Sequence, residues 1–105
     1  MDRFTISTLR SYYGALLTQK QNEMLKMRYD EDLSFGEIAE IEGISRQAAL
    51  DGIVKGENHL ARIDEKLGFL KRDERIKQAA QNLLALSSEE SVRAAVNEIL
   101  SILEE

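Results

Sequence analysis

The side chains in this sequence that could do chemistry are few, and their spacing excludes more than it suggests. There is one histidine, His59, and no cysteine. A lone imidazole without a second ligand or a nucleophile beside it builds neither a zinc site nor a hydrolytic relay. His59 falls next to Leu60, near Glu57 and Arg62, and reads as a boundary residue. Without Cys there is no disulfide frame, no thiolate nucleophile and no cysteine-ligated metal, a usage that suits a reducing cytoplasm. Asp30, Asp32 and Ser34 imitate the opening of a calcium loop, but glycine falls at the seventh place instead of the sixth, and Ile41 stands where a bidentate Glu is needed. No glycine-rich phosphate cradle and no nucleophile–base pair can be named. The chain is therefore expected to be no enzyme, with no catalytic residues, no metal and no cofactor.

What remains is recognition. Ser34 to Lys55 reads SFGEIAEIEGISRQAALDGIVK, the spacing of a helix-turn-helix. Ala39 is small where two helices must cross, Gly43 takes the turn, Ile44 plugs the space beneath it, and Ser45 caps a second helix. The outward positions of that second helix are where a partner would be read. The candidate contact residues are Ser45, Arg46, Gln47, Leu50, Asp51, Val54 and Lys55. Arg46 can fork onto guanine and Gln47 can pair with adenine, whereas Leu50 and Val54 offer only apolar contact. Asp51 would sit close to phosphates. Within Ser34–Lys55, Arg46 and Lys55 stand against Glu37, Glu40, Glu42 and Asp51, a net of −2. Duplex affinity depends on neutralising phosphates, so by its own charge this unit leans toward another partner.

Those positions need helices to hold them, and the composition supplies helices. The 105 residues are 43% hydrophobic and 31% charged, with net charge −5, six Gly and no Pro. Such a chain folds, and nothing in it breaks a helix from within. The fold class is all-α: a helix-turn-helix domain followed by a long helix and a helical C-terminal extension. A first helix is expected over about Asp2 to Leu17. Thr18 to Gln21 forms a capping box for a second helix reaching about Tyr29, and the acidic Asp30-Glu31-Asp32 stops it. Ser34 to Glu37 is another capping box, and Ser87 to Glu90 a third. Tyr12 and Tyr13 are adjacent and point apart, one toward the core and one free to stack on a partner.

The fourth helix carries a long apolar seam. Ala49, Ile53, Gly56, Leu60, Ile63, Leu67 and Leu70 step by alternating fours and threes. Gly52 and Gly56 weaken that helix and in return let another helix approach closely. The seam, with Leu50 and Val54, is more apolar surface than one small domain easily hides. A homodimer is therefore expected, meeting along Ile53, Leu60, Ile63, Leu67 and Leu70. Gly68 offers an end to this helix, with Phe69 and Leu70 folding back. Lys71, Arg72, Arg75 and Lys77 cluster after it, interrupted by Asp73 and Glu74, as on a solvated helix face. The expected organisation is a helix-turn-helix domain over 1–56, with the helix continuation and extension over 57–105, the two forming one compact unit. No signal peptide and no membrane-length apolar run are read, so the expected location is the cytoplasm, without membrane insertion.

Leu16 to Ile53, LLTQKQNEMLKMRYDEDLSFGEIAEIEGISRQAALDGI, resembles the DNA-reading C-terminal domain of sigma factors. It resembles more closely the YlxM-like family of small bacterial proteins linked to the signal recognition particle. The shared features are the LLT and KQ opening, RY followed by EDLSFGEIAE, and GISRQA followed by Asp51 and Ile53. The likeness is strongest over residues 12–67 and weak after Arg72. Leu50 and Gly52 depart from it, where an aromatic and a polar residue are expected. The resemblance implies an accessory or regulatory protein of that targeting pathway, with the particle's protein or RNA as partner and no catalytic residues. The sigma-factor likeness implies DNA binding as an architecture, which keeps a DNA-binding transcriptional regulator as the alternative.

Overall fold

A computed structural model describes residues 2–104, which fold as helices with no strand among them. They form two compact units that divide between Leu67 and Gly68. The first holds α1 (Arg3–Tyr13), a 3-10 turn (Gly14–Leu16), α2 (Gln19–Tyr29), α3 (Phe35–Glu42) and α4 (Arg46–Leu67). The second holds α5 (Phe69–Leu86) and α6 (Glu90–Leu103). The expected division at residue 56, within one compact whole, is thus corrected. α4 runs unbroken through Gly56, and the chain leaves it only where Gly68 turns left-handed at φ 68°.

Local chemistry sets most helix ends. The Thr18 hydroxyl accepts from Gln21 N–H at 3.1 Å and Gln21 Oε1 accepts from Thr18 N–H at 3.3 Å, so two unpaired donors at the start of α2 are satisfied reciprocally. Ser34 and Glu37 do the same for α3, both at 3.1 Å. α1 ends earlier than its apolar spacing suggests, because the chain tightens into the 3-10 turn. Its cap is Asp2, whose carboxylate accepts from Thr5 N–H at 2.7 Å. The third expected box is corrected: Ser87 does not cap α6, which is preceded by Glu89 with no side-chain cap. The Arg93 guanidinium reaches back instead, donating to the carbonyls of Leu84 at 2.9 Å and Ser87 at 3.3 Å. A cation suits the negative end of α5.

The acidic stretch after α2 is held by arginines. Arg10 bonds Asp30 at 2.8 Å, and Arg3 pairs with Asp32, whose φ of 58° lies in the left-handed region. Asp tolerates that region better than most residues. Both pairs tie the α2–α3 turn to α1. Arg28 stacks on the Phe35 ring at 4.1 Å and donates to the Leu33 carbonyl at 3.1 Å, closing the same turn from the other side. Arg3, Arg10 and Arg28, with Asp30 and Asp32, are therefore used in building the fold.

The core of the first unit centres on Ile6, Leu9, Leu25, Ile38, Ala49 and Leu60, which are buried. The small residues of α4 do what their spacing predicts. A Cβ at Gly52 would lie 2.9 Å from Met24 Cε, and one at Gly56 would lie 3.1 Å from Leu25 Cδ1, so α2 crosses α4 at these two glycines. Ile53 and Leu60 are correspondingly buried inside their own chain and cannot serve a dimer seam. Of the other expected seam residues, Ile63 is half-buried and Leu67 exposed. Leu70 is on α5, beyond the left-handed Gly68, so it no longer follows the register of α4. Of the two adjacent tyrosines one is in the core, as expected, but the rings meet and do not point apart. Tyr13 is buried and donates to Asp64 Oδ1 at 2.7 Å, while Tyr12 meets its ring edge-on at 5.6 Å between centroids.

Candidate functional site

The helix-turn-helix is built by α3, a three-residue turn and the first half of α4. Gly43 has φ 66°, a conformation glycine adopts without a Cβ clash. Its N–H and that of Ile44 donate back to carbonyls of the last turn of α3, with Ile44 N–H reaching Ala39 O at 3.0 Å. Ser45 Oγ then accepts from Ala48 N–H at 3.0 Å and starts α4. Ala39 and Ala49 are buried where the two helices meet, which sets the angle at which α4 leaves the turn.

Arg46, Gln47, Asp51 and Lys55 are exposed, Leu50 is half-buried, and Val54 is exposed beside them. At 100° per residue they do not all point one way. Gln47, Asp51 and Val54 share the outermost line, Leu50 lies to one side, and Lys55 to the other. Arg46 projects from the first turn on the Leu50 side. Gln47 Nε2 donates to Asp51 Oδ1 at 3.0 Å. Reading adenine through Gln47 would first require breaking that bond. The structure therefore sets Gln47, Asp51 and Val54 along one exposed line of α4, with Arg46 and Leu50 on one flank of it and Lys55 on the other, while Ser45 is the cap.

Sequence counting missed the second half of the face. Lys55, His59, Arg62 and Lys66 are spaced by four, three and four, and so follow one stripe along α4. His59, Arg62, Ile63 and Lys66 line a shallow groove there. His59 Nδ1 lies 3.2 Å from Gln21 Oε1, which ties the imidazole to α2. The stripe could have been found by applying helical spacing to the charges as well as to the apolar residues.

The acids of α4 are sorted by side. Glu57 accepts from the Tyr29 hydroxyl and Asp64 from that of Tyr13, so both carboxylates are turned toward α2 and α1. Burial and the Glu57 hydrogen bond push the Tyr29 phenol up to about 12. Glu42, at the end of α3, is paired with Lys20 at 2.7 Å, a partnership that raises the ammonium above its ordinary range. Outward along α4 this leaves Arg46, Lys55, Arg62 and Lys66 against Asp51 and Glu65, a net of +2. The deficit counted over Ser34–Lys55 is thus not the charge that a partner of α4 meets.

A family model described as "Putative helix-turn-helix protein, YlxM / p13 like" (UPF0122) matches residues 1–99. A UPF0122 protein of Clostridium perfringens (strain SM101 / Type A) is 44% identical over 84 residues, covering 80% of this chain and 75% of the relative. One of Thermoanaerobacter sp. (strain X514) is 38% identical over 104 residues, covering 99% and 89%. A third, of Caldanaerobacter subterraneus, is 39% identical over 82 residues, covering 78% and 70%.

Proposed function

Since the chain belongs to the UPF0122 family of YlxM/p13-like helix-turn-helix proteins, we propose that it is a non-catalytic accessory factor of the signal recognition particle pathway, working in the cytoplasm by binding the particle's RNA along α4. The pathway comes from the YlxM-like resemblance of Leu16–Ile53. The choice of RNA over the GTPase protein rests on one observation: Lys55, Arg62 and Lys66 follow a single stripe while Glu57 and Asp64 are bonded on the far side of the helix. A row of cations is what a phosphate backbone requires. No step of bond making is involved; the protein would act by occupying or shaping its site.

The second reading is a DNA-binding transcriptional regulator, favoured by the helix-turn-helix geometry itself. It needs Gln47 and Asp51 to part and Asp51 to approach phosphates. One experiment separates the readings: retention of the particle's RNA, its GTPase subunit and genomic DNA fragments by the purified protein across a salt series. The expected result is salt-sensitive retention of the particle's RNA. Arg62→Ala and Lys66→Ala should each lower the salt slope by about one, and Arg46→Ala and Gln47→Ala should weaken binding. Specific, salt-sensitive DNA retention with no affinity for either particle component would overturn the proposal.

A further inference from the structure

The second unit does not bury enough to account for itself. It is a pair of antiparallel helices joined over 87–89, and among its described residues only Ala80 and Val96 are buried. Two helices with so small a core are below what holds a fold together alone. Yet the hairpin is rich in large apolar side chains: Ile76 is 40% exposed, Leu83 45%, Ile99 45% and Ile102 57%. Helical spacing sets Ile76 and Leu83 on the flank of α5 next to the line that meets α6. Ile99 and Ile102 fall on the matching flank of α6. Because the helices run in opposite directions, both flanks lie on the same side of the hairpin, so the four residues form one continuous apolar face.

We infer that this face is a dimerisation surface that packs on the same face of a second copy of the chain, making a four-helix bundle from two hairpins. Three observations select a second copy as the occupant. The face is made from two adjacent helices, the arrangement that an identical hairpin covers in an isologous pairing. Its edges differ in charge: Arg75 borders it on α5, where Arg72 is already paired with Asp73 at 3.2 Å, and Glu98 borders it on α6. A two-fold axis parallel to the helices sets α5 of each copy opposite α6 of the other, and so brings each basic edge to an acidic one. The third observation is size. α6, at 14 residues, is about 21 Å long and two helices span about 20 Å, giving about 400 Å² in projection per copy. The pair reaches about 800 Å², a size typical of weak, reversible contacts, so the dimer is expected to form only toward the upper end of micromolar protein concentration. This inference does not depend on the RNA reading, and it moves the expected homodimer from the α4 seam to the hairpin.

The test is sedimentation equilibrium of the full chain from about 1 to about 200 μM, a range that brackets a micromolar constant. The mass should rise from that of one 11.9 kDa chain toward twice that value. Arg75→Glu should weaken association about tenfold, and the double variant Arg75→Glu with Glu98→Arg should restore it. These side chains are exposed, so reversal leaves the helices intact. Ile99→Glu should abolish dimers; if it also unfolds the hairpin, seen as lost helical circular dichroism, the charge-reversal pair decides the matter. A chain that stays monomeric across the range overturns the inference. So does a dimer indifferent to both Ile99→Glu and charge reversal.

Discussion

Replacing Gly56 with Ala sets two opposing effects against each other, and the structure decides between them. In a helix interior Ala is favoured over Gly by about 1 kcal/mol. At Gly56, however, the new methyl would stand 3.1 Å from Leu25 Cδ1 and 3.3 Å from Leu25 Cγ. Leu25 is fully buried and branched at the point of contact, so it cannot swing clear without moving α2. Overpacking of this kind costs about 1–3 kcal/mol. The expected net effect is a loss of about 1 kcal/mol, or about 4–8 °C in Tm for a unit of this size. Gly52→Ala is the internal control. Its methyl comes closer still, 2.9 Å from Met24 Cε, but it meets the free end of an unbranched thioether. There the helix gain should nearly balance the contact, leaving stability within about 0.5 kcal/mol. The assay is urea unfolding followed by tyrosine fluorescence. Tyr12, Tyr13 and Tyr29 all lie in the first unit and there is no Trp, so the signal reports that unit alone. A Gly56→Ala protein more stable than the parent, or a Gly52→Ala protein that loses more than Gly56→Ala, would refute the idea that α2 is seated on α4 through Leu25.

Three further outcomes are expected. The Tyr29 phenol, raised to about 12 by burial and by Glu57, is held protonated by the fold. Its contribution to stability is thus complete below pH 10 and disappears as pH climbs through about 12. Ultraviolet titration of Tyr29→Phe should lose one tyrosinate step near 12, and in Glu57→Gln that step should move down. Arg28→Ala removes both the stack on Phe35 and the donor to Leu33 O, so thermal unfolding should show a loss of about 1–2 kcal/mol. Arg28→Lys should recover little of it, because an ammonium does not reproduce the planar stack. Ser34→Ala removes the acceptor for Glu37 N–H and should cost about 1 kcal/mol. The Ser34 backbone N–H and then its side chain hold the Glu37 carboxyl below its ordinary 4.5, so the second bond of the box, from Ser34 N–H to the carboxylate, adds a stabilisation present above pH 4.5 that fades as pH falls past it. Glu37→Gln should flatten this acid limb in melts recorded across that range.

What was legible in the sequence was the chemistry that acts over three or four residues. Thr18, Ser34, Gly43 and Ser45 mark helix ends because their partners are Gln21, Glu37, Ala39 and Ala48, all within one turn. The apolar seam of α4 was legible as a face but not as an interface. Periodicity says that Ile53 and Leu60 are turned away from water; it does not say whether α1 and α2 or another chain receives them. The same limit hid the hairpin face, where the apolar spacing of α5 and α6 is evident but its lack of cover is not. Ser87 to Glu90 satisfied the pattern of a capping box, but α6 starts only at Glu90, so the Ser87 hydroxyl accepts from Glu89 N–H ahead of the helix and not from a donor within it. Tyr13 with Asp64 and Tyr29 with Glu57 lie 51 and 28 residues apart. The count along Ser34–Lys55 misjudged the surface of α4 for a simpler reason: that window takes in Glu37, Glu40 and Glu42 of α3 and stops short of Arg62 and Lys66.

Because Gly52 and Gly56 take the crossing of α2, and Ala49, Ile53 and Leu60 the rest of the packing, the exposed residues of α4 are released from any duty to the core. Arg46, Gln47, Asp51, Lys55, Arg62 and Lys66 can be exchanged as a set without repacking a neighbour. For protein engineering the helix is an interchangeable tool on a fixed mount: a library over those six positions varies what is gripped while leaving thermal stability close to that of the parent. The same division lets natural variants of the chain drift in partner choice far sooner than in architecture.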